Sequence, residues 1–314
     1  MLANPYFNTT FFSFFTTLFQ RIWLLLSGQL PPNALASDEI QLIVLITLAT
    51  TSAFVGTFLI YRHMAMLANA ISHTLLLGIV LAYIALNLSQ EAVHAPLPLN
   101  LLFAVAIFMG CLTALLTEWM TSKTKLQADA STGLVFSTLF ALGLILVTLY
   151  TRNLHLGTEA VMGNVDALQL TDCQQVVIVL LSNALLFALF FKEFTITTFD
   201  QSLSKHLGIS LNVFNYLLMA QTSLTVVAGF RAVGVIMILS LLTGPPLIAR
   251  FLFHRLRTVI AGACVIGSIS ALFSVALSRH LLTTHGLALS TGGLTITLIG
   301  LIFTVTAVFR SLRS

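Results

Sequence analysis

Few side chains in this sequence have the chemistry to bind or react, and two of them stand four residues apart. Asn69 and His73 lie inside the stretch from Arg62 to Tyr83, RHMAMLANAISHTLLLGIVLAY. On a helix that spacing puts both on one face. At 1.5 Å per residue, His73 falls roughly 16 Å beyond Arg62, about half of a ~30 Å hydrocarbon core. An ionisable ring at that depth is a functional-site hypothesis by default, because lipid penalises it unless it faces a cavity, a route or a partner. The competing reading is a histidine hydrogen-bonded to a neighbouring helix for packing alone.

Enzymatic signatures are missing. Ser122-Lys123-Thr124 lacks the glycines of a phosphate-binding loop, and no H-E-x-x-H or G-x-S-x-G occurs. No Asp/Glu/His cluster shows the tight spacing of a metal store. Cys111, Cys173 and Cys264 are isolated and read as small packing residues. Anything moved uphill must draw its energy from outside the chain. That leaves a permease served by a separate ATPase, or an ion-coupled carrier; a self-contained enzyme is not expected.

The elements that position these residues are membrane helices. Of 314 residues, 58% are hydrophobic and 8% charged, with mean hydropathy +1.01. Soluble domains carry about 25% charged residues, so the fold class is an all-α, polytopic membrane helix bundle. The ~10-residue alternation of a β-barrel is absent. The formal charge of +4 is spread over turns rather than clustered, which does not favour nucleic acid. The opening MLANPYFNTT has no basic n-region, so no cleaved signal peptide is expected. Residues 10–30 are aromatic and apolar but carry Gln20 and Arg21, the pattern of an interfacial helix rather than a span. Residues 1–39 are therefore read as an N-terminal interfacial or extracytoplasmic segment, and 40–314 as one transmembrane domain. Nine spans are predicted, at about 40–60, 65–86, 98–117, 132–150, 172–191, 211–229, 233–252, 258–279 and 291–309. The least secure boundary is the very short turn at 226–234.

Charge sorting sets the orientation. With the residue 38 end outside, ten Lys and Arg fall in the inner turns and four on the outer side, the asymmetry of the positive-inside rule. Acids lean the other way, leaving a net +6 inside and −2 outside. Two connections exceed the usual 2–8 residues between packed helices. The outer one, 151–171, predicts a short helix around Glu159–Val165. In the inner one, 192–209, Asp200 reads as an N-cap and Gly208 as a stop, which gives two turns of helix from Gln201 to Leu207. It is either an ordinary amphipathic loop or a docking helix for a cytoplasmic partner. Leu242-Thr243-Gly244-Pro245-Pro246 predicts a kinked or broken helix, a feature that recurs beside translocation routes. Ala263, Gly267 and Ala271 recur every four residues and read as a packing seam.

Several stretches together resemble the manganese/zinc/iron ABC-transporter permeases. RHMAMLANAISHTLLLG is similar to the signature R-x-M-A-x-x-G-D-A-x-S-H-x-x-x-P-G. Asp129 to Ser137 with Phe140-Ala141-Leu142-Gly143 resembles D-A-x-x-G-x-x-F-S…F-A-L-G. His155-Leu156 and Glu159 to Gly163 resemble an outer-loop pattern, H-L-D-x-[DE]-A-V-L-x-G. Phe199-Asp200 to Leu207-Gly208 resembles the segment that contacts the ATPase. Ala232-Val233-Gly234 and Pro245 to Arg250 resemble the segment ending P-A-x-x-A-R. The resemblance covers about 40–310, in order.

It implies the permease subunit of an ABC importer for Mn, Zn or Fe ions in the bacterial cytoplasmic (inner) membrane, with no permanently bound cofactor. Two permease subunits would form the route and two cytoplasmic ATPase subunits would dock beneath it. An extracytoplasmic metal-binding protein would deliver the ion. On this resemblance Asn69 and His73 line the route, and His155 and Glu159 mark the outer loop. Asp200, Leu203, Leu207 and Gly208 couple to the ATPase, and the helix break at Gly244, Pro245 and Pro246 lies near the pathway. The chain departs from the pattern at Asn69 for Asp, Ala68 for Gly, Leu77 for Pro and Gly157 for the outer-loop Asp. Asn69 offers a dication a neutral oxygen where a carboxylate would bring charge. A heterodimer with a related subunit carrying that Asp would restore it, and is favoured over a homodimer. Two alternatives remain open at this point: an ABC permease for a metal chelate such as a siderophore or cobalamin, and an ion-coupled secondary carrier.

Overall fold

A computed structural model describes residues 5–7, 9–29, 35–87, 99–124, 127–150 and 165–312. Among them the regular elements are all helical. In chain order they are α1 (Phe11–Leu26), α2 (Ser37–Tyr61), α3 (Ala65–Asn87), α4 (Leu99–Thr124), α5 (Ala128–Tyr150), a 3₁₀ turn (Val165–Ala167), α6 (Leu170–Leu189), α7 (Phe191–Phe199), α8 (Gln201–His206), α9 (Leu211–Val233), α10 (Val235–Leu252), α11 (Leu256–His285) and α12 (Thr291–Ser311).

Eight of these are long and apolar enough to cross a membrane: α2, α3, α5, α6, α9, α10, α11 and α12. The ninth predicted span coincides with α4, 26 residues long, whose described apolar stretch is Ile107–Thr121. At sixteen residues α1 is short of a span. It lies against α11, with Phe11 and Phe15 on Phe273, and leaves Phe12, Phe19 and Trp23 exposed.

Around α2 the bundle is organised. Its apolar window is 78% buried, against 22% for α5 and α6 and 17% for α12, so α2 is the central post and those three are peripheral. Close approach to α2 relies on small residues. Ala263 and Ala271 of α11 are fully buried, and a Cβ at Gly267 would sit 3.0 Å from that of Ala49. The predicted seam is therefore the α2–α11 contact, where short side chains let backbones meet and dispersion replaces the hydrophobic drive that lipid lacks.

Of the kinked or broken helix expected at Gly244, Pro245 and Pro246, the break is corrected: one helix runs Val235–Leu252 through both prolines. Two missing N–H groups cannot bond to the carbonyls of Leu241 and Leu242. Packing supports the backbone there. Gly56 of α2 has no side chain, and a Cβ on it would collide with the Leu242 carbonyl oxygen. Both prolines are buried, Pro245 against α11 beside Gly267. The doubtful turn at 226–234 is a single residue. Gly234, at φ +86° and ψ 166°, alone joins α9 to α10, in a region of backbone space essentially closed to other residues.

Candidate metal route

Helix α3 begins just after a tight turn, Arg62-His63-Met64, and carries Asn69 and His73 one turn apart. Leu67, Ala68, Ala70, Ile71 and Leu75 are buried, whereas Asn69, His73, Leu76 and Ile79 are only partly covered. Those four form one face, as the four-residue spacing requires. His73 packs against Phe136 and Phe140 of α5, with ring centroids 5.3 Å away in both cases. Gly143 lets α5 come close to α3 one turn on, since a Cβ there would lie 3.0 Å from the Leu77 backbone nitrogen. Among the described residues His73 makes no hydrogen bond through its ring, so two aromatic rings orient it and its nitrogens stay available to a ligand. A neutral imidazole nitrogen and an amide oxygen are both donors to a borderline or hard dication.

At the turn end of α3 a second group of side chains is tied together. Arg62 donates to Thr198 Oγ1 (2.9 Å) and Thr197 Oγ1 (2.6 Å) of α7 and to Asn215 Oδ1 of α9, and lies 5.9 Å from the Phe194 ring centroid. Burial lowers its pKa to about 10, so it stays cationic at neutral pH, held only by neutral oxygens. Helix α7 lies where the sequence predicts only a connection. Its one signal was the aromatic spacing of Phe191, Phe194 and Phe199, which the β-branched threonines between them obscured.

The helix predicted over Gln201 to Leu207 is present as α8, Gln201–His206. Asp200 Oδ1 accepts from Leu203 N–H (2.9 Å), and Gly208 ends the helix at φ +72°. Leu203, Leu207 and Phe199 are exposed, an apolar surface on the same end of the bundle as Arg62.

The opposite end is held by buried charge. Asp38 pairs with Arg279, and Glu39 accepts from Arg21, Tyr6 and the Ala36 N–H. Gln41 and Thr291 both donate to Asp166, at 2.9 and 2.7 Å. Charges sorted to the outer side by sequence thus bond to one another, and Arg62 bonds at the other end. Gly244 approaches Ile299 of α12, and Pro245 approaches Gly267 of α11. His155 and Glu159 lie outside the described residues.

With the geometry in hand, comparison with known proteins decides the family. The pattern of the ABC 3 transport family matches residues 39–310. The chain belongs to that family. A Chlamydia muridarum protein described as a probable metal transport system membrane protein is 39% identical over 94% of this chain and 91% of its own length. The manganese transport system membrane protein MntD of Bacillus subtilis is 35% identical, covering 72% of this chain and 78% of its own. Among solved structures, PsaBC from Streptococcus pneumoniae in complex with Fab matches with a TM-score of 0.71 at 26% identity, covering 87% of this chain and 92% of that one. As an ABC 3 family member this chain is a multi-pass membrane subunit of a bacterial transport system and does not itself hydrolyse ATP.

Proposed function

We propose that this ABC 3 family chain is the permease subunit of an ATP-driven importer of divalent transition metal ions, Mn²⁺, Zn²⁺ or Fe²⁺, with His73 and Asn69 on the route. The match over 39–310 carries the reading, together with relatives described as manganese and zinc transport system membrane proteins. The imidazole of His73 and the amide oxygen of Asn69 touch the ion. A cytoplasmic ATPase docks on α8, where Leu203 and Leu207 offer apolar contact and Asp200 and Gly208 fix the helix ends. The half-open α3 face meets a second permease subunit, and an extracytoplasmic metal-binding protein delivers the ion. Because Asn69 brings no negative charge, a related second subunit with a carboxylate at that position suits a dication better than a second copy.

The test is ATP-driven uptake of each ion into proteoliposomes holding the assembled complex. His73→Ala reduces uptake to background while the complex still purifies intact. Undiminished uptake by that variant refutes the role of His73, and uptake of none of the three ions by the wild type refutes the substrate class.

A further inference from the structure

At the Arg62 end of α3 lies a cavity of about 290 Å³ that the proposed function does not use. It is lined by His63, Glu118, Thr117, Thr121, Thr132 and Asn215, with Leu67, Ala114 and two methionines completing the wall. At about 30 Å³ per water in the liquid, that volume admits a partly hydrated cation. The walls come from the base of α3, the end of α4, the start of α5 and the start of α9.

Its level in the bundle follows from helix rise. Thr132 is one turn, about 6 Å, before Phe136 on α5, and Phe136 touches the His73 ring. Leu67 stands six residues, about 9 Å, before His73 on α3. The cavity therefore lies nearer the Arg62 end than His73 does, on the Leu67 side of α3 where α4 and α9 pack.

The donors suit a dication. Glu118 supplies a carboxylate, His63 an imidazole, and three threonines supply neutral oxygens; carboxylate and imidazole together favour Mn²⁺, Fe²⁺ or Zn²⁺. Tyr216 donates to Glu118 Oε2 at 2.6 Å, the outer-shell hydrogen bond that commonly orients a ligating carboxylate. His63 sits at φ +56°, the one positive-φ residue other than glycine among those described, and the turn presents it at the cavity. Arg62 bonds Asn215 from behind, so a cation lies near the wall and opposes prolonged residence of a dication.

We propose that Glu118 and His63 form a second, weaker divalent-cation site, a release station between His73 and the cytoplasm. The inference rests on the proposed function for its meaning, but its test reads binding rather than transport. Mn²⁺ is titrated, by electron paramagnetic resonance, into the full assembled transporter in lipid nanodiscs, in a His73→Ala background. A bound population remains there, and Glu118→Gln weakens it by at least about tenfold. Tyr216→Phe, which removes the hydrogen bond but keeps the carboxylate, leaves most of the affinity. His63→Ala, in an exposed turn, provides the second variant should Glu118→Gln not assemble, and weakens binding in the same direction. Binding unchanged in both Glu118→Gln and His63→Ala overturns the site. Equal losses in Tyr216→Phe and Glu118→Gln overturn it too, since the carboxylate would then be structural. Failure of wild-type uptake sinks the transport reading but leaves this binding difference measurable, so the two are separable.

Discussion

At the scale of the residue, the proposed route rests on one imidazole held by two phenylalanines. Its metal affinity is a competition with protons, since only the neutral ring ligates. Uptake should therefore fall on acidification, with protons displacing the ion. Initial rates across a pH series check the sign; a rate that rises on acidification contradicts ligation by His73. Asn69→Asp is the complementary test. It places a charge one helical turn from the ring, and a gain of ~1.4 kcal/mol corresponds to tenfold tighter binding. Isothermal titration with Mn²⁺ should show an increase of that order, with release slowed accordingly. Both residues were legible in sequence through their spacing. Phe136 and Phe140 were quoted in a family block but had no role until the fold set them against His73.

At the scale of the element, the proposed connection between nucleotide hydrolysis and the route would run through short helices. Helix α8 begins at an Asp200 cap and stops at Gly208, whose φ of +72° resists a side chain. Gly208→Val strains that stop by about 1–2 kcal/mol. The expected outcome is a complex that still hydrolyses ATP but transports poorly, read as the ratio of ions moved to phosphate released. A normal ratio removes the docking role of α8. Arg62 links this end to α3 by bonding α7 and α9 at once, so Arg62→Lys, which keeps charge but loses the fork of donors, should lower the same ratio. The cap and stop of α8 are local signals, and sequence displays them. Partners of Arg62 lie 135 to 153 residues away, and no local pattern announces them.

At the scale of the whole molecule, α2 is enclosed by the bundle and the α3 face stays partly open beside α5. An aqueous route and a lipid surface differ in what reaches them. In a background with Cys111, Cys173 and Cys264 replaced by serine, Leu76→Cys on that face should react with a charged methanethiosulfonate reagent. Leu181→Cys, exposed on peripheral α6, should not, because acyl chains cover it. Equal labelling of the two sites would argue against a wet α3 face.

By itself the sequence determined the class of the fold and the existence of α8. Long apolar runs and capping residues act within a few positions of one another. Tertiary structure alone decided that the double proline runs through an unbroken helix, because Gly56 on another helix admits the Leu242 carbonyl. It also decided which side chains surround His73, and that Glu118 and His63 share a cavity. The physical reason is common to all three: each depends on backbones distant in sequence coming close in space, and local composition carries no record of that approach.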